Sequence, residues 1–272
     1  MNIVETIQKR RSVRTYTGEP LSNKYIAQIT QYLNQLKAPF GVKARIEMIH
    51  TRASENPVKL GTYGLIKGAC DFLTLIYEDV PFAECAAAYM FEQAILYCTH
   101  LDLGTCWLAG FSRSDAKKQI QPRPNEKIRI VSPVGYISDK KSFFEKHIVR
   151  GDKNHASRKP FETLFFENDF NHPLTEQAAG RFCTPLQMVR LAPSANNKQE
   201  WRIVLQDKVL HIYKKPYPAF DSIDMGIALC HLELSCKALG IEGEYQVLDN
   251  HPKNDQLKYV ISFTNHFEQT KV

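Results

Sequence analysis

The chain has 272 residues, of which 43% are hydrophobic and 24% are charged. These fractions are those of a folded globular protein, so an intrinsically disordered chain and a fibrous repeat are both excluded. At about 150 residues per domain, the length predicts either one large domain or two small ones. The formal net charge of +6 is too small to indicate a nucleic-acid-binding protein by itself.

The seven cysteines form no C-x-x-C pair and no spacing typical of a zinc site, so we expect no metal centre. We predict that they are reduced thiols in a cytoplasmic protein. The first residues, MNIVETIQKRR, lack the apolar segment of a signal peptide, and we expect none. No apolar stretch reaches the roughly 18 residues that a membrane span needs, so we expect no membrane partner.

In chain order, the first half alternates between helical and strand patterns. Apolar residues at helical spacing over 21–36 predict a helix with Ser22 as its N-cap. A long alanine-rich helix is predicted over 81–100, and its stop is assigned to Gly104. Residues 137–157 are polar, without periodicity, and are predicted to form a connector. Apolar runs predict strands at 45–49, 72–77 and 127–134.

The same order of signals returns in a shorter second half, with the first two pairs of segments about 153 residues apart, and suggests an internal duplication. The second half carries a predicted strand over 201–213 and a predicted helix from Ile223 to Gly240. A helix is also predicted between Pro173-Leu174-Thr175 and Ala192-Pro193. The alternative is coincidence among residues that commonly end helices or form strands. Five pairs of segments correspond: 20–22 with 173–175, 38–39 with 192–193, 45–46 with 202–203, 103–104 with 239–240, and 127–132 with 257–262.

Each half therefore runs helix, strand, helix, strand, which predicts an α+β or α/β fold. We place the halves at 1–150 and 151–272 and expect them to form one compact unit. Duplicated units pair about a twofold axis in homodimers, so we expect the same pairing here within one chain.

Four cations and one hydroxyl fall within the six residues from Lys9 to Arg14. Arginine guanidinium groups bind phosphate oxygens in a bidentate manner, and a serine hydroxyl adds a neutral donor. If the segment is extended, Ser12 and Arg14 lie on one face. The pattern predicts a phosphate clamp, and a solvated basic helix end is an equally weighted alternative.

Two further segments carry small or polar residues at predicted turns. Residues 191–201 offer Ser, Asn and Gln side chains, which suit the polar edge of a planar heterocycle. The alternative is a polar turn capped by its own asparagines. Residues 104–111 form an apolar turn with small residues that would let the backbone approach a ligand. Its alternative is a buried loop that packs Trp107 and Phe111 into the core.

Together these segments resemble the motifs of the nitroreductase family of FMN-dependent oxidoreductases. Arg10-Arg11-Ser12-Val13-Arg14 is similar to the family's N-terminal R-x-S-x-[RK] phosphate motif. Residues 193–201 are similar to its P-S-x-x-N-x-Q-P-W flavin-ring motif, and residues 103–111 to its L-G-x-x-x-x-x-G-F turn. Gly135-Tyr136 and Arg158-Lys159-Pro160 resemble two later motifs. The resemblance covers nearly the whole chain.

The two principal motifs are divided between the halves. Where an ordinary member carries the ring motif, residues 38–42 read APFGV, without Ser or Asn. Residues 157–161 stand where a second phosphate motif would fall, and they lack its Ser and final Arg. The chain thus resembles the subgroup of fused, single-chain nitroreductases. This implies an α+β intrachain pseudo-dimer with one intact and one decayed flavin site, and with central antiparallel or mixed sheets flanked by helices.

The resemblance implies flavin contacts and no catalytic side chain, because the flavin carries the chemistry. Glu200 replaces the proline of the ring motif, which leaves the substrate preference open. For Lys67 the alternative is an ordinary surface lysine. The implied contacts are Arg10, Arg11, Ser12 and Arg14 at the phosphate, with Arg158 and Lys159 in support; Pro193, Ser194, Ala195 and Asn197 at the ring and ribityl chain; Leu108, Ala109 and Gly110 on the ring's other side; and Tyr63, Gly64 and Lys67 at the pyrimidine edge.

The implied function is an FMN-dependent oxidoreductase that uses NADH or NADPH to reduce nitroaromatics, quinones or similar small-molecule acceptors by a ping-pong mechanism. Two alternatives stay open: a flavin-binding or redox-sensing protein without turnover, and a flavin enzyme of the same fold with a different reaction. We expect no nucleic-acid partner, and a fused pseudo-dimer is compatible with a monomer. The dinucleotide motif G-x-G-x-x-G is absent.

Overall fold

The computed structural model describes residues 1–51, 60–140, 157–216 and 220–265. Most of the predicted connector at 137–157 therefore lies outside the described residues. The chain divides into two compact units. The first comprises Met1 and Lys9–His155, and the second comprises Asn2–Gln8 and Ala156–Val272. The N-terminal helix α1 (Ile3–Lys9) thus belongs to the second unit except for its last residue.

The first unit is built on an antiparallel sheet of four strands in the order β1-β2-β4-β3. The strands are β1 (Ala44–His50), β2 (Asp71–Glu78), β3 (Gly104–Thr105) and β4 (Glu126–Gly135). The helices of this unit are α2 (Asn23–Leu33), α3 (Ala83–His100) and α4 (Arg113–Gln119). All three predicted strands are therefore present, with β3 in addition.

Strand β2 is the centre of this unit because it is buried on both faces. It reads DFLTLIYE, and every residue but the last is buried. Phe72 and Ile76 join a core cluster with Ala116 and Ile120 around α4. Helix α3 packs against the same strand. A continuous apolar run is the pattern of a strand covered from both sides.

The second unit contains a sheet of five strands in the order β5-β6-β7-β9-β8. Strand β5 pairs with β6 in parallel, and the other pairs are antiparallel, so the sheet is mixed. Helices α5 and α6 pack against each other. The elements are β5 (Phe165–Glu167), α5 (Cys183–Arg190), β6 (Trp201–Gln206), β7 (Val209–Lys214), α6 (Asp221–Ala238), β8 (Gly243–Gln246) and β9 (Lys258–Asn265).

The two units share one topology. The order β6-β7-β9-β8 in the second unit repeats β1-β2-β4-β3 in the first. Helices α3 and α6 each have 18 residues and each follow the second of these four strands. The central strand pair shifts register at Leu75/Ile76 in one unit and at Ile212/Tyr213 in the other. A common topology is what the duplication hypothesis predicts.

The structure corrects the predicted stop of α3. The helix ends at His100, and the residue with a left-handed backbone is Asp102, with φ 62°. The N–H of Leu103 donates to the carbonyl of Cys98 at 3.0 Å, which closes the helix end. Gly104 was assigned this role, but it lies two residues farther on, in β3.

The corresponding end of α6 is formed by glycine, as predicted. Gly240 has φ 69°, and the N–H of Ile241 donates to the carbonyl of Cys236 at 2.9 Å. Gly104 serves another purpose, because a Cβ atom there would lie 2.9 Å from a methyl group of Val13. One glycine is thus needed for its backbone angles and the other for space.

Helix α2 is shorter than the predicted pattern. It ends at Leu33, whereas the helical pattern runs to Leu36. The N–H groups of Gln35 and Leu36 donate to carbonyls three residues earlier, so the chain leaves the helix through a tighter turn. Ser22 occupies the N-cap position, as predicted, although its side chain makes no capping hydrogen bond.

The helix predicted to open at Pro173-Leu174-Thr175 begins only at Cys183. The N–H of Leu174 donates to the carbonyl of Phe165 at 3.0 Å, so this segment pairs with β5 instead. Gly180, whose φ of 53° is left-handed and not helical, lies shortly before the start of the helix. Pairing to a neighbouring strand was not visible in the local pattern.

The strand predicted over 201–213 is a hairpin of β6 and β7. Asp207 and Lys208 have φ angles of 49° and 65°, as a tight two-residue hairpin turn requires. The prediction was wrong because this turn lacks glycine, asparagine and proline, which usually mark such turns.

All seven cysteines lie among the described residues, and each is a free thiol. Burial raises the pKa of Cys98 and of Cys236 to about 12, so these thiols act as small apolar side chains. No helix in the described part of the chain combines the length and apolarity that a bilayer crossing requires.

Candidate functional site

The predicted phosphate segment, residues 10–14, lies in the first unit as extended chain beside β3. The N–H of Val13 donates to the carbonyl of Thr105 at 2.8 Å. The N–H of Lys67 donates to the carbonyl of Arg14 at 2.9 Å. The structure thus brings Lys67, which was expected near the pyrimidine edge, to the backbone of the phosphate segment.

Side chains alternate along this extended segment. Val13 and Thr15 are buried, whereas Ser12 and Arg14 are partly exposed. Arg11 is exposed. An extended chain turns alternate residues to one side, so Ser12 and Arg14 share a face that is available to a ligand.

Arg10 is the most unusual residue of the segment. Its Nε and Nη1 atoms are buried, and neither has a hydrogen-bond partner among the described residues. Burial lowers the pKa of Arg10, while the carboxylate of Glu92 opposes this effect. Buried donors without acceptors are costly, so a native structure normally supplies an acceptor. A phosphate oxygen has the charge and hydrogen-bonding capacity to fill this role, and the segment therefore fits the phosphate of FMN.

Glu92 lies within α3 and is fully buried. Its Oε2 accepts a hydrogen bond from the indole Nε1 of Trp107 at 2.7 Å. Trp107 in turn packs edge-to-face on Phe91, with 5.0 Å between ring centroids. Sequence reasoning did not assign Glu92 to the site, although an acidic residue inside an otherwise apolar helix was a usable signal.

The turn at 108–110 follows Trp107. Leu108 is buried and exchanges two backbone hydrogen bonds of 3.0 Å with Val131 of β4. Ala109 and Gly110 are partly exposed. A Cβ atom on Gly110 would lie 3.0 Å from a methyl group of Leu65, so glycine keeps this turn close to the segment that contains Lys67.

Tyr63 and Gly64 form a turn on the surface of the first unit. Their φ angles are 50° and 78°, and the N–H of Leu65 donates to the carbonyl of Thr62 at 2.9 Å. Tyr63 is 76% exposed, so its ring is free to contact a ligand.

The predicted ring motif lies in the second unit as the loop between α5 and β6, residues 193–199. Pro193 and Ser194, at its start, are partly exposed. Asn196, Asn197 and Gln199 have φ angles of 51°, 55° and 50°. Asparagine tolerates this left-handed region, but glutamine rarely adopts it. Such backbone persists only where the surroundings hold it, and it is concentrated at functional sites.

Gln199 holds the loop in this conformation. The side chain is buried, and its Oε1 accepts the backbone N–H of Lys159 at 2.9 Å. Its Nε2 lies 3.0 Å from the carbonyl and 3.1 Å from the side-chain oxygen of Asn197. Its own backbone N–H donates to Oγ of Ser194 at 2.9 Å. Sequence reasoning quoted Gln199 within the motif but gave it no role.

Arg158 and Lys159 contact the same loop. The Nη1 atom of Arg158 lies 3.4 Å from Oδ1 of Asn197, and its Nη2 donates to the carbonyl of Leu191 at 3.2 Å. The Nζ atom of Lys159 lies 3.4 Å from the carbonyl oxygen of Gln199. The structure thus places both residues on the ring-motif loop, and their support of the phosphate stays a prediction.

Asp224 of α6 fixes the start of the loop. It is buried, and its two carboxylate oxygens lie 3.0 and 3.1 Å from the backbone nitrogen of Ala195, which donates to them. This carboxylate was missed because its helix shows almost no amphipathic pattern that would distinguish one buried position from another.

The sequence profile of the family described as "Putative TM nitroreductase" matches residues 2–236. A crystal structure described as a "putative nitroreductase" from Thermotoga maritima MSB8 is similar over 97% of this chain and 93% of that chain, with 20% identity and a TM-score of 0.61. This likeness shows a nitroreductase-like α+β fold.

Two shorter proteins are similar to about half of the chain. A nitroreductase with bound FMN from Bacteroides fragilis NCTC 9343 covers 52% of this chain and 91% of its own, with 16% identity and a TM-score of 0.42. A nitroreductase family protein from Clostridium novyi NT covers 53% and 91%, with 16% identity and a TM-score of 0.41. None of the curated proteins matches the chain.

Proposed function

The chain belongs to the TM nitroreductase family, and from this membership in an oxidoreductase family we propose that it is an FMN-dependent NAD(P)H oxidoreductase. The observation that carries the proposal is Arg10, whose buried Nε and Nη1 atoms have no acceptor among the described residues. An anionic ligand would complete their hydrogen bonding.

The first unit would hold the phosphate and one side of the flavin. Arg10 and Arg14 would bind phosphate oxygens, with Ser12 as a neutral donor and Arg11 as a further charge at the surface. The remaining contacts of this unit would be Tyr63, Gly64, Lys67, Leu108, Ala109 and Gly110.

The second unit would supply the ring and ribityl contacts from Pro193, Ser194, Ala195 and Asn197. The bonds of Gln199 and Asp224 support this assignment, because they fix the loop before any ligand arrives. A loop held in its binding conformation loses less entropy on binding than a mobile one. Arg158 and Lys159 would act by holding the loop.

FMN, when bound, supplies the two-electron chemistry that connects reduced nicotinamide to an electron-poor acceptor such as a nitroaromatic or a quinone. The side chains bind and orient the reactants and are not themselves oxidised or reduced. We propose ping-pong kinetics, with donor and acceptor binding in turn.

We propose further that the halves, 1–150 and 151–272, act as an intrachain pseudo-dimer that binds one FMN per chain. The phosphate segment occurs intact only in the first half and the ring motif only in the second. The shared topology of the two units supports descent from one duplicated ancestor. A monomer would then suffice for activity. The seven free thiols support a cytoplasmic location.

Anaerobic stopped-flow reduction of the purified protein tests the proposed reaction. We expect NADH or NADPH to bleach the flavin absorbance, and a quinone or nitroaromatic added afterwards to restore it. Bound flavin that neither donor reduces would instead favour a redox sensor or a different reaction. A colourless protein that cannot be reconstituted with FMN would contradict flavin binding altogether.

A further inference from the structure

Cationic side chains gather where the ring-motif loop enters β6. Lys159 and Arg202 both point a cationic nitrogen at the carbonyl oxygen of Gln199, at 3.4 and 3.1 Å. The backbone N–H of Lys215 donates to the carbonyl of Glu200 at 2.8 Å, which places Lys215 beside the same residues. We call Lys159, Lys198, Glu200, Arg202 and Lys215 the basic cluster. Four cations and one carboxylate give it a net charge of +3.

Three cations of this cluster, Lys159, Arg202 and Lys215, have no ion-paired carboxylate among the described residues. Burial lowers the pKa of Lys159, with Glu200 opposing and the neighbouring cations adding to the decrease. Like charges this close destabilise one another, and an anion among them relieves the repulsion.

Two of the cations are also held in place. Arg202 is partly buried, and its Nη1 donates to the carbonyl of Trp201 at 2.6 Å as well as to that of Gln199. Lys159 is partly buried. Lys215 is exposed and able to reach a ligand. Fixed cations beside an exposed one suit a small polyanion, because the fixed groups keep their geometry when it binds.

We propose that the basic cluster binds the phosphate groups of the nicotinamide dinucleotide that donates electrons. This inference rests on the proposed function. Lys159 and Arg202 of the cluster contact the carbonyl of Gln199, two residues from Asn197 in the ring-motif loop, so a donor whose nicotinamide faces the flavin would carry its phosphates nearby. The chain also lacks the glycine-rich motif that binds dinucleotide phosphates in Rossmann folds, so another phosphate site is needed. Charge complementarity selects a phosphate-bearing donor over a neutral molecule.

Replacing Glu200 should change donor binding in the opposite direction to replacing one of the cations. It is the one carboxylate of the basic cluster and lowers the positive potential that a phosphate would meet. Its removal should therefore tighten binding of the donor, whereas removal of a neighbouring cation should weaken it.

The test compares Arg202→Gln/Lys215→Gln with Lys237→Gln, which removes one charge from an exposed position on α6. Steady-state kinetics at saturating quinone give KM and kcat for NADH and NADPH, and calorimetry measures NADP+ binding to the holoprotein. The double variant should raise KM about tenfold, with a matching loss of NADP+ affinity and unchanged FMN content. Lys237→Gln should change neither. Lys215→Gln alone, at an exposed side chain, replaces the double variant if that one does not fold.

The outcomes separate clearly. An equal rise in KM for both donors supports binding of the pyrophosphate, and a rise confined to NADPH supports binding of the 2′-phosphate. Glu200→Gln should lower KM about threefold, since it removes a repulsive charge. Unchanged KM and NADP+ affinity in every cluster variant would overturn the proposal, as would a loss of FMN in place of a change in KM. If the wild-type protein holds no flavin, the proposed function fails, while NADP+ calorimetry still reports on the cluster.

Discussion

Helices α3 and α6 occupy equivalent places in two units of the same topology but differ in their buried polar residues. Each has 18 residues, and among the described side chains each carries one fully or almost fully buried carboxylate. Glu92, the tenth residue of α3, accepts a hydrogen bond from Trp107, whereas the tenth residue of α6 is Cys230. The fourth residue of α6 is Asp224, which accepts a hydrogen bond from the backbone N–H of Ala195. The fourth residue of α3 is Ala86.

The two buried charges lie beside different candidate motifs. Glu92 acts on Arg10 of the phosphate segment, and Asp224 holds the ring-motif loop. Burying a carboxylate is costly unless it is paired, so a helix does not carry one without a partner that needs it. The comparison teaches that two units with one topology differ in the buried polar groups that their long helices carry.

The largest expected effect tests the division of the motifs. Arg10→Ala/Arg14→Ala should weaken FMN binding to the reconstituted apoprotein about 1,000-fold, or about 4 kcal/mol, because two charge-assisted bonds to phosphate are lost. Fluorescence titration of the apoprotein with FMN measures this. Lys117→Ala/Lys118→Ala, which removes two exposed cations from the same unit, is the control and should bind like wild type. Wild-type affinity in the arginine variant would refute the phosphate assignment.

The second prediction concerns the stability of the protein at acid pH, which depends on a histidine buried in the second unit. Burial, with a smaller contribution from His251, lowers the pKa of His211 to about 4, and its Nδ1 lies 2.8 Å from Oγ of Ser262. The register shifts follow Leu75 in the first unit and Ile212 in the second. The residue before Leu75 is Thr74, and the equivalent residue before Ile212 is His211. Only the second unit therefore gains a buried histidine at this place.

Because the pKa of His211 is lower in the folded state than its ordinary value of 6.5, the unfolded chain takes up the proton first. Stability is then complete above pH 6.5 and falls by about 3 kcal/mol as the pH drops toward 4. Urea unfolding across this range should show a flatter profile for His211→Asn than for wild type. His100→Asn, at an exposed position, should leave the profile as it is; equal profiles for all three proteins would contradict the assignment.

The third prediction concerns the left-handed backbone of the ring-motif loop in the second unit. Gln199→Ala should lower the free energy of unfolding by about 2 kcal/mol, because several buried hydrogen bonds are lost while the left-handed backbone remains. FMN affinity should fall as well. Gln246→Ala, at an exposed glutamine of β8, is the matched control. A Gln199 variant as stable as the control would show that the loop does not depend on this side chain.

The smallest effects distinguish the two glycines that the sequence treated as equivalent. Gly240→Ala should cost about 1 kcal/mol, since only the backbone angle opposes a Cβ atom there, and Gly240→Asn should cost less. Gly104→Asn should instead cost more than Gly104→Ala, because the restriction there is contact with Val13. Thermal unfolding of the four variants gives the order. The same order at both positions would contradict the distinction.

Much of the fold could be predicted from local patterns. The apolar run of β2 and the alanine-rich α3 were predicted to within two residues at each end, because both are long and strongly patterned. The hairpin turn at Asp207-Lys208 and the late start of α5 could not be predicted. The turn contains no glycine, asparagine or proline, and the segment before α5 pairs with β5 in place of continuing as helix.

The candidate site was predictable where its motifs are contiguous in sequence. The phosphate segment and the ring-motif loop were singled out from the sequence as candidates, but the buried side chains beside them were not. Glu92 and Asp224 lie on helices far along the chain from the residues they contact. Their roles depend on tertiary packing, which neither periodicity nor motif spacing reports.

The central claim is that one chain, with its motifs divided between two units of common topology, makes a single flavin site. The ratio of FMN released on denaturation to the chain concentration tests it most directly. The account predicts one FMN per chain, and about none in Arg10→Ala/Arg14→Ala after dilution and dialysis. Two FMN per chain would contradict the claim, since it would require a second intact site.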